Sequence, residues 1–333
     1  MYKHGGSSGI GAPAGERIKE DVGVFSLKKI LVVGSANVDF VIGVRQAPEL
    51  GETILCRSFR KTCGGKGANQ AYACGHLGGD TAFLNAVGDD PLGGELVRNL
   101  QQANVDTRAI RTVDGVSTGM AVVCVDEKGN NSIIVVPGAN NLCDVDYLRR
   151  NRARFEESDI VLLQMEIPFE SVCYAVELAS GLHKTVILNP APAPDSLPDE
   201  VYAGLDYLTP NESEFKHLTG CPTDEVEELA VHCKPLLEKG TRNIIITLGS
   251  RGALHVNREG HTLYRPPEVQ AVDTTAAGDT FNAALARELA DGRSTGEAIV
   301  FANMASALAV SRVGAQDSIP SYEEVLDFKK RME

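Results

Sequence analysis

The sequence has no tryptophan, few aromatic residues and no long apolar run. Aromatic residues make up 5% of the 333 residues, and the lack of tryptophan excludes the indole platform on which many sugar-binding proteins stack their ligands. No apolar run approaches the roughly twenty residues that a membrane-spanning helix requires. The N-terminus also lacks the apolar core of a signal peptide. We therefore expect no membrane partner.

Basic residues are outnumbered, and the cysteines form no C-x-x-C pair. Lys and Arg number 32 against 45 Asp and Glu, so the formal net charge of −13 argues against nucleic acid as a partner. The eight cysteines are scattered, which suits reduced thiols in a cytoplasmic protein better than a disulfide framework or a zinc site. With 43% hydrophobic residues, the chain can bury a large core.

From about residue 158 onward, short apolar runs alternate with stretches of helical periodicity. The runs that we predict to be buried strands cover residues 159–164, 185–188, 207–208 and 243–247. The helical stretches cover residues 172–179, 225–239 and 295–311. This alternation predicts an α/β fold with a doubly wound, mainly parallel sheet and helices on both faces. Ligands of such sheets bind at the carboxyl ends of the strands.

Two other pairs of apolar segments have no helix between their members. They cover residues 40–44 with 52–62 and residues 119–125 with 132–136, and a hairpin-type loop connects the second pair. We expect these segments to form a small antiparallel sheet.

The predicted organisation is therefore one domain over residues 28–333. The small sheet would be a discontinuous part of it, from about 40–62 and 119–136. Residues 1–27 are rich in Gly, Ser and charge without periodicity, and we expect them to form a mobile N-terminal tail.

The most informative stretch is a short polar turn at residues 273–279 that opens into an apolar helix pattern. Helix N-termini have unpaired N–H groups and a partial positive charge, so they attract anions. Ala276, Ala277 and Gly278 keep this approach free of bulk, and the carboxylate of Asp279 follows at once. An anion site beside a general base is what phosphoryl transfer to a hydroxyl requires. The alternative is that Asp279 only caps the helix.

A glycine cluster, Gly64-Gly-Lys-Gly-Ala-Asn-Gln-Ala71, opens a second helix pattern. It is not a Walker A loop, because Gly67 follows the lysine where Ser or Thr is required, and Arg60 stands where the first glycine is required. The dinucleotide fingerprint would end at Gln70 instead of glycine, which argues against a dehydrogenase. The cluster indicates a ligand loop of another kind, or alternatively a tight turn before a helix.

These two segments resemble the ribokinase-like family of ATP-dependent carbohydrate kinases. Four further segments match family motifs in the same order: Gly34–Asp39, Thr209–Glu214, Thr247–Gly252 and Gly314–Ser318. The resemblance runs from about residue 29 to the C-terminus. It implies ATP-dependent phosphorylation of D-ribose at its 5-hydroxyl, giving D-ribose 5-phosphate and ADP. A kinase for another sugar or a nucleoside, and a catalytically idle sugar- or nucleotide-binding regulator, remain alternatives.

The resemblance also implies roles for individual residues. Asp279 would be the general base, and the backbone of residues 276–279 the anion hole. The implied sugar-binding residues are Asn37, Asp39, Gly64, Gly65, Lys66, Gly67, Ala68, Asn69, Glu166 and Asp279. The residues implied for ATP and its Mg²⁺ are Asn211, Glu214, Thr247, Leu248, Gly249, Ser250, Arg251, Gly252, Gly278 and Asn303. Those implied for a monovalent cation, K⁺, are Asp273, Thr275, Ala309, Arg312, Gly314 and Ser318.

Simpler structural roles stand beside several of these. Asp39 could cap a turn, Glu166 could be a strand-end charge, and Asn211 could cap a helix. Residues 247–252 could be a plain strand-to-turn junction, and Asn303 could lie on a solvated helix face.

Two further expectations follow from the family. Its small sheet forms a lid over the sugar and often pairs with a second subunit, so we expect a homodimer. Many members have glycine where this chain has Ala276. We expect alanine to keep the loop with a negative φ and activity to survive.

Overall fold

The computed structural model describes residues 28–332, so the tail predicted for residues 1–27 lies outside the described residues. The strands in that range are β1 (Ile30–Val33), β2 (Asn37–Gly43), β3 (Ser58–Gly64), β4 (Thr81–Leu84), β5 (Ala86–Gly88), β6 (Arg111–Val113), β7 (Gly119–Val125), β8 (Asn131–Val136), β9 (Ile160–Leu163), β10 (Thr185–Leu188), β11 (Tyr207–Leu208), β12 (Asn243–Thr247), β13 (Ala253–Asn257) and β14 (Gly260–Tyr264). The helices are α1 (Lys66–His76), α2 (Pro91–Gln102), α3 (Val145–Arg150), α4 (Arg152–Glu157), α5 (Phe169–Gly181), α6 (Asp199–Ala203), α7 (Glu212–Thr219), α8 (Val226–Glu238), α9 (Ala277–Ala290), α10 (Thr295–Val310) and α11 (Tyr322–Met332).

The central sheet has eight strands in the order β14-β13-β12-β11-β10-β9-β1-β4. All pairs from β12 to β4 are parallel, and the hairpin β13–β14 continues the sheet antiparallel at one edge. The four residues of β1 and of β9 are buried on both faces, as a strand inside a covered parallel sheet requires. This confirms the doubly wound α/β prediction.

Helices cover the two faces in two groups. Side chains of alternate residues along β1, such as Leu31 and Ile30, enter different apolar clusters because successive residues of a strand point to opposite faces. Helices α3 to α8 pack on the face of Leu31, and α1, α2 and α9 to α11 pack on the face of Ile30. No helix within residues 28–332 is long and apolar enough to cross a membrane.

The small sheet predicted from the apolar pairs is present, with strand order β3-β2-β7-β8. Its hairpin pairs β2–β3 and β7–β8 are antiparallel, and the central pair β2–β7 is parallel. The bounds of β7 are as predicted, but β2 begins at Asn37 and β3 only at Ser58. Residues 52–57 are therefore not strand, contrary to the prediction. We call this sheet the lid.

The N-terminus of α1 lies directly on the turn after β1. The amide of Ala68 donates to the carbonyl of Ser35 (2.7 Å), and a Cβ on Gly67 would lie 2.5 Å from the carbonyl carbon of Gly34. No side chain fits between these backbones, so a residue other than glycine at 67 would push α1 away from the sheet. The contact fixes the glycine cluster at the carboxyl end of β1.

Candidate active site

Asp279 lies in the first turn of α9, and its side chain is 7% exposed. Its Oδ1 accepts a hydrogen bond from the Gln70 amide and its Oδ2 one from the Asn69 amide, both at 2.9 Å. The N-cap of α9 is Ala276, which has no side chain to cap with. The alternative of Asp279 as a helix cap is therefore wrong, because its carboxylate is held by amides of α1.

Ala276 adopts a left-handed conformation with φ 60° and ψ 10°. The expectation of a negative φ at this position is therefore wrong. The chain has to turn sharply here, because Ala277 begins α9 and its amide still bonds back to the Thr274 carbonyl (3.3 Å). Left-handed geometry disfavours every residue with a Cβ, so alanine carries a conformational cost that glycine at this position would avoid.

Two cavities meet at Asp279. The large cavity, ≈ 1020 Å³, lies between the lid and the sheet. The small cavity, ≈ 180 Å³, lies between the start of α9 and the loops after β10, β11 and β12. Both are lined by Lys66, Thr274, Ala276 and Asp279. These four residues therefore mark the place where a ligand in one cavity would face a ligand in the other.

Six of the predicted sugar-binding residues besides Asp279 line the large cavity: Asn37, Asp39, Gly65, Lys66, Asn69 and Glu166. Gly64, Gly67 and Ala68 do not. Gly64 gives room to a neighbour, since a Cβ there would lie 2.1 Å from a carboxylate oxygen of Asp39. Gly67 and Ala68 pack α1 against the turn after β1. The structure thus assigns these three a packing role.

Glu166 connects the loop after β9 to the start of α1. Its Oε2 accepts hydrogen bonds from the backbone amide of Lys66 (3.0 Å) and from the hydroxyl of Ser35 (2.5 Å). Because a carboxylate at a helix N-terminus satisfies free amides and the helix dipole, Glu166 anchors the glycine cluster while still lining the large cavity.

Lys66 is surrounded by carboxylates. Burial opposes its charge, but Asp279, Glu166, Glu214 and Asp39 outweigh that effect and raise the pKa of Lys66. It is therefore an ammonium group at the junction of the two cavities. In this acidic chain it supplies a local positive charge for an anionic ligand.

The same surroundings disfavour the charged form of Asp39. Burial, helped by the negative charges of Glu166 and Asp279 and opposed by Lys66, raises the pKa of Asp39 from 3.8 to about 6. A carboxylate crowded in this way gains from hydroxyl donors that would replace the lost water.

Asn211 and Glu214 form a capping box at the start of α7. The Asn211 side chain accepts from the Glu214 amide and the Glu214 side chain from the Asn211 amide, both at 2.8 Å. The cap alternative is thus correct for Asn211, yet both residues also line the small cavity. Burial raises the pKa of Glu214, although the Asn211 amide and Lys66 oppose it.

The predicted nucleotide loop at 247–252 enters the small cavity only at Thr247. Leu248 is buried in the core, and Arg251 donates to the Asp224 carbonyl (2.6 Å) and to Glu212 (2.9 Å). Asn303 is 6% exposed and donates to the Tyr264 carbonyl (2.9 Å), so the solvated-face alternative is wrong. Asn303 lines neither cavity.

The turn before α9 is joined to the loop after α10. Asp273 accepts hydrogen bonds from the Thr275 amide (2.9 Å) and hydroxyl (2.6 Å) and from the Gly314 amide (3.0 Å). Burial opposes its charge, but these bonds lower the pKa of Asp273. The Arg312 guanidinium pairs with Glu324, and the Ser318 hydroxyl donates to the Ala315 carbonyl (2.8 Å). Of the predicted cation set, Asp273, Thr275 and Gly314 are brought together by direct bonds.

Two buried amides of the site were missed at the sequence level. Gln70 adjoins Asn69 and was not singled out. Asn140 is 1% exposed; it donates to the Asn37 side chain (2.7 Å) and accepts from the Ala36 amide (2.9 Å). It fixes which end of the Asn37 amide faces the cavity. Since Asn140 lies 103 residues from Asn37, no local pattern could reveal it.

A family model described as pfkB family carbohydrate kinase matches residues 27–322. The chain belongs to this family. The pfkB kinase is 38% identical to the ribokinase of Haemophilus influenzae over 302 residues, which cover 90% of this chain and 98% of the relative. It is 34% identical to the deoxyribokinase of Salmonella typhi over 299 residues, covering 90% and 98% of the two chains. The solved structure of Arabidopsis thaliana ribokinase complexed with ribose and ATP matches with a TM-score of 0.85 and 33% identity, covering 92% of this chain and 99% of that one.

Replacing Ala276 by glycine tests the left-handed turn. We expect Ala276→Gly to raise the free energy of unfolding by about 0.5–1 kcal/mol, because glycine adopts this conformation without steric cost. Ala277→Gly is the matched control, since Ala277 is helical, and it should lower the free energy by about 0.5–1 kcal/mol. Urea denaturation measures both. Equal changes of the same sign would contradict the assigned turn.

The raised pKa of Asp39 predicts a pH-dependent stability. The folded protein keeps this proton while the unfolded chain loses it, so the stability due to Asp39 declines as the pH rises from about 4 to about 6. Asp39→Asn removes the charge. We expect it to raise the free energy of unfolding by about 1–2 kcal/mol at about pH 8 and by much less at about pH 4. The exposed Asp327→Asn is the control in the same denaturation experiments, and an equal effect of Asp39→Asn at both pH values would refute the prediction.

Proposed function

We propose that this pfkB carbohydrate kinase transfers the γ-phosphoryl group of ATP to the 5-hydroxyl of D-ribose, giving D-ribose 5-phosphate and ADP. The observation that carries the proposal is the position of Asp279. Its buried carboxylate lies where the lid cavity meets the small cavity, beside Lys66 and the N-terminus of α9, where the cap residue Ala276 makes no side-chain hydrogen bond. A base, a cation and an anion site at one point are the groups that this reaction requires.

Asp279 would take the proton of the attacking hydroxyl. Such general-base assistance contributes about 10² to 10⁴ in rate. The amides of residues 276–279, with the ammonium of Lys66, would stabilise the charge on the transferred group. Gly278 keeps the approach open, because a Cβ built there meets nothing within 4 Å.

The large cavity would hold the sugar. Asp39 and Glu166 offer acceptors for vicinal hydroxyls, and Asn37 and Asn69 offer amides. A site built on such hydrogen bonds discriminates against analogues that lack a hydroxyl. Ribose is the acceptor proposed because relatives named ribokinase align over nearly their whole length, one of them solved with ribose and ATP. The deoxyribokinase relative keeps 2-deoxyribose as the second candidate.

The small cavity would hold the phosphates of ATP and an accompanying Mg²⁺. Within residues 28–332 no group of three or more His, Cys, Asp and Glu side chains is placed to hold a metal ion, so the nucleotide would have to supply ligands. Glu214 and Asn211 fit as partners, because a nearby cation would offset the burial that raises the pKa of Glu214. Mg²⁺ would neutralise charge on the phosphates. Thr247 to Gly252, with Asn303, would lie towards the base of the nucleotide.

We also propose a K⁺ site at the joined segments that include Asp273, Thr275, Ala309, Arg312, Gly314 and Ser318. The Arg312 guanidinium is engaged by Glu324, so that residue would contribute its carbonyl. The bonds of Asp273 to Thr275 and Gly314 bring this loop to the turn that precedes Ala276. A cation bound there would favour the ordered turn.

A cytoplasmic location is proposed as well, since all eight cysteines are unpaired.

The assignment of Asp279 predicts the outcome of a kinase assay. We expect ADP release with Mg-ATP and D-ribose, and a fall in kcat of about 10² to 10⁴ in Asp279→Asn. The control is Asp327→Asn, which removes an exposed carboxylate on α11. ADP release is compared across D-ribose, 2-deoxyribose, other pentoses, hexoses and adenosine, in potassium, sodium and tetramethylammonium buffers.

Each outcome of this assay has a defined meaning. Preference for another acceptor would reassign the large cavity while keeping the chemistry, and equal rates in the three buffers would remove the K⁺ site. Full activity of Asp279→Asn would refute the base. Binding of ATP without turnover of any acceptor would favour a catalytically idle regulator.

We further propose a homodimer formed through the lid. Strand β8 is an edge strand, and its four apolar residues from Ile133 to Val136 are all exposed, Ile134 by 66%. Phe59 on β3, the opposite edge of the lid, is exposed by 62%. Exposed apolar edges promote association unless a partner covers them.

Sedimentation tests the dimer. We expect a dimer at micromolar concentration and a shift towards monomer in Ile134→Glu, because a charge on the apolar lid would be buried on association. The matched control is Val231→Glu, which changes a half-exposed apolar residue on α8, away from the lid. A parent protein that sediments as a monomer would exclude the proposed dimer.

A further inference from the structure

Gln70 is fully buried and touches the carboxylate of Asp279 from the side away from solvent. Its exposed fraction is 0%, and its Nε2 donates to Asp279 Oδ1 (2.9 Å). Unlike its neighbour Asn69, which lines the large cavity, Gln70 lines neither cavity. It cannot contact a substrate, so any effect on the reaction has to pass through Asp279.

The direction of the Gln70 amide is set by residues at the ends of two adjacent strands, β10 and β11. Thr209 follows β11, and its backbone carbonyl can only accept, so the Asn189 amide turns its Nδ2 towards it (2.9 Å). Asn189 follows β10, and its Oδ1 is thereby left to face Gln70 Nε2 (3.2 Å). The Thr209 carbonyl thus fixes the orientation of the Asn189 amide, and the Asn189 amide in turn fixes that of Gln70.

A second contact satisfies the oxygen of the Gln70 amide. Gln164, the residue after β9, donates its Nε2 to Gln70 Oε1 (2.6 Å). If the Gln70 amide were flipped, its oxygen would face both the Asp279 carboxylate and Asn189 Oδ1. The Gln164 amide could turn with it, because the Gln164 Oε1 has no hydrogen-bond partner of its own within residues 28–332. The two contacts between oxygens therefore disfavour the flip in this buried site. The sheet therefore presents an N–H donor, and not a carbonyl oxygen, to Asp279.

We propose that Gln70 is a positioning residue that orients Asp279 for proton transfer, an inference that rests on the proposed role of Asp279 as base. Gln70 holds Oδ1 on the buried side. The other oxygen, Oδ2, bonds to Asn69 at the wall of the large cavity, and it is the oxygen that accepts the proton of the sugar hydroxyl. The carboxylate is thus aligned by the carboxyl ends of β9, β10 and β11 through Gln164, Asn189 and Thr209.

The test is Gln70→Met, which keeps nearly the same volume and removes both the donors and the acceptor. A misplaced catalytic group costs up to about 10² in rate. We therefore expect kcat to fall by about 10- to 100-fold, with the KM values for sugar and ATP changed by less than about 3-fold. Thr241→Val is the matched control. It removes a buried hydrogen bond to the Tyr202 carbonyl at the opposite end of the sheet and should leave kcat unchanged.

A double-mutant cycle separates positioning from general damage to the fold. In the Asp279→Asn background, Gln70→Met should change the residual single-turnover rate by less than about 2-fold, because the group that it orients is gone. The same fall as in the parent would overturn the proposal, as would unchanged kcat in Gln70→Met alone. If Asp279→Asn itself keeps full activity, the proposed base fails, which is a distinct result.

A second variant serves if Gln70→Met does not fold. Gln164→Met leaves the Gln70 donor in place but removes the donor to Gln70 Oε1, so a buried carbonyl oxygen loses its partner and the Gln70 amide is held less firmly. We expect a smaller fall in kcat, about 2- to 10-fold, again with KM nearly constant and again absent in the Asp279→Asn background. A change confined to KM, or a fall that persists in the Asp279→Asn background, would overturn the proposal.

Discussion

The buried carboxylate of Asp279 joins two helices that are some two hundred residues apart in the sequence. It belongs to α9, and its hydrogen bonds come from Asn69 and Gln70 of α1. Both helices lie on the same face of the sheet, and α1 is fixed in turn by the backbone contact of Gly67 with Gly34. Because these contacts meet at the carboxyl end of the sheet, the cavity under the lid and the cavity beside α9 share one wall.

The active site places a positive charge, that of Lys66, in a protein whose net charge is negative. The protein carries a formal net charge of −13, and its lid cavity contains Asp39, Glu166 and Asp279. A triply anionic wall would repel a nucleotide. Lys66 stands among these carboxylates, and the N-terminus of α9 adds the positive end of its helix dipole. The same carboxylates that raise the pKa of Lys66 thereby keep charged the group that faces the anionic ligand.

The fold was largely predictable, because its strands are continuous apolar runs bounded by turn residues. The bounds of β7, β10, β11 and β12 agree with the prediction for this reason. The strand prediction for residues 52–57 was wrong, because apolar residues in this exposed loop give the same local pattern as a strand. The sign of φ at Ala276 could not be predicted, since alanine favours the opposite sign and only the tertiary turn imposes this one.

The candidate site was predictable where one segment carries the chemistry and not where distant segments cooperate. Asp279 and Lys66 lie in motifs with an evident local function. Asn140 and Gln70 act through partners more than 100 residues away, and Asn303 on α10 is buried and donates to the carbonyl of Tyr264 on β14. Such contacts depend on how the layers pack, which single-segment patterns do not encode.

Strand β2 connects the lid directly to the central sheet. It leaves the turn after β1 and runs at once into the lid with Asn37 and Asp39 as its first and third residues. Its partner β3 ends at Gly64, one step before the residues that start α1. The lid strands β2 and β3, which cover the large cavity, are therefore directly continuous in sequence with β1 and α1 beneath it. A movement of the lid would therefore also move Asn37 and Asp39. Opening the large cavity and breaking the contacts of these two side chains with a ligand would then occur together.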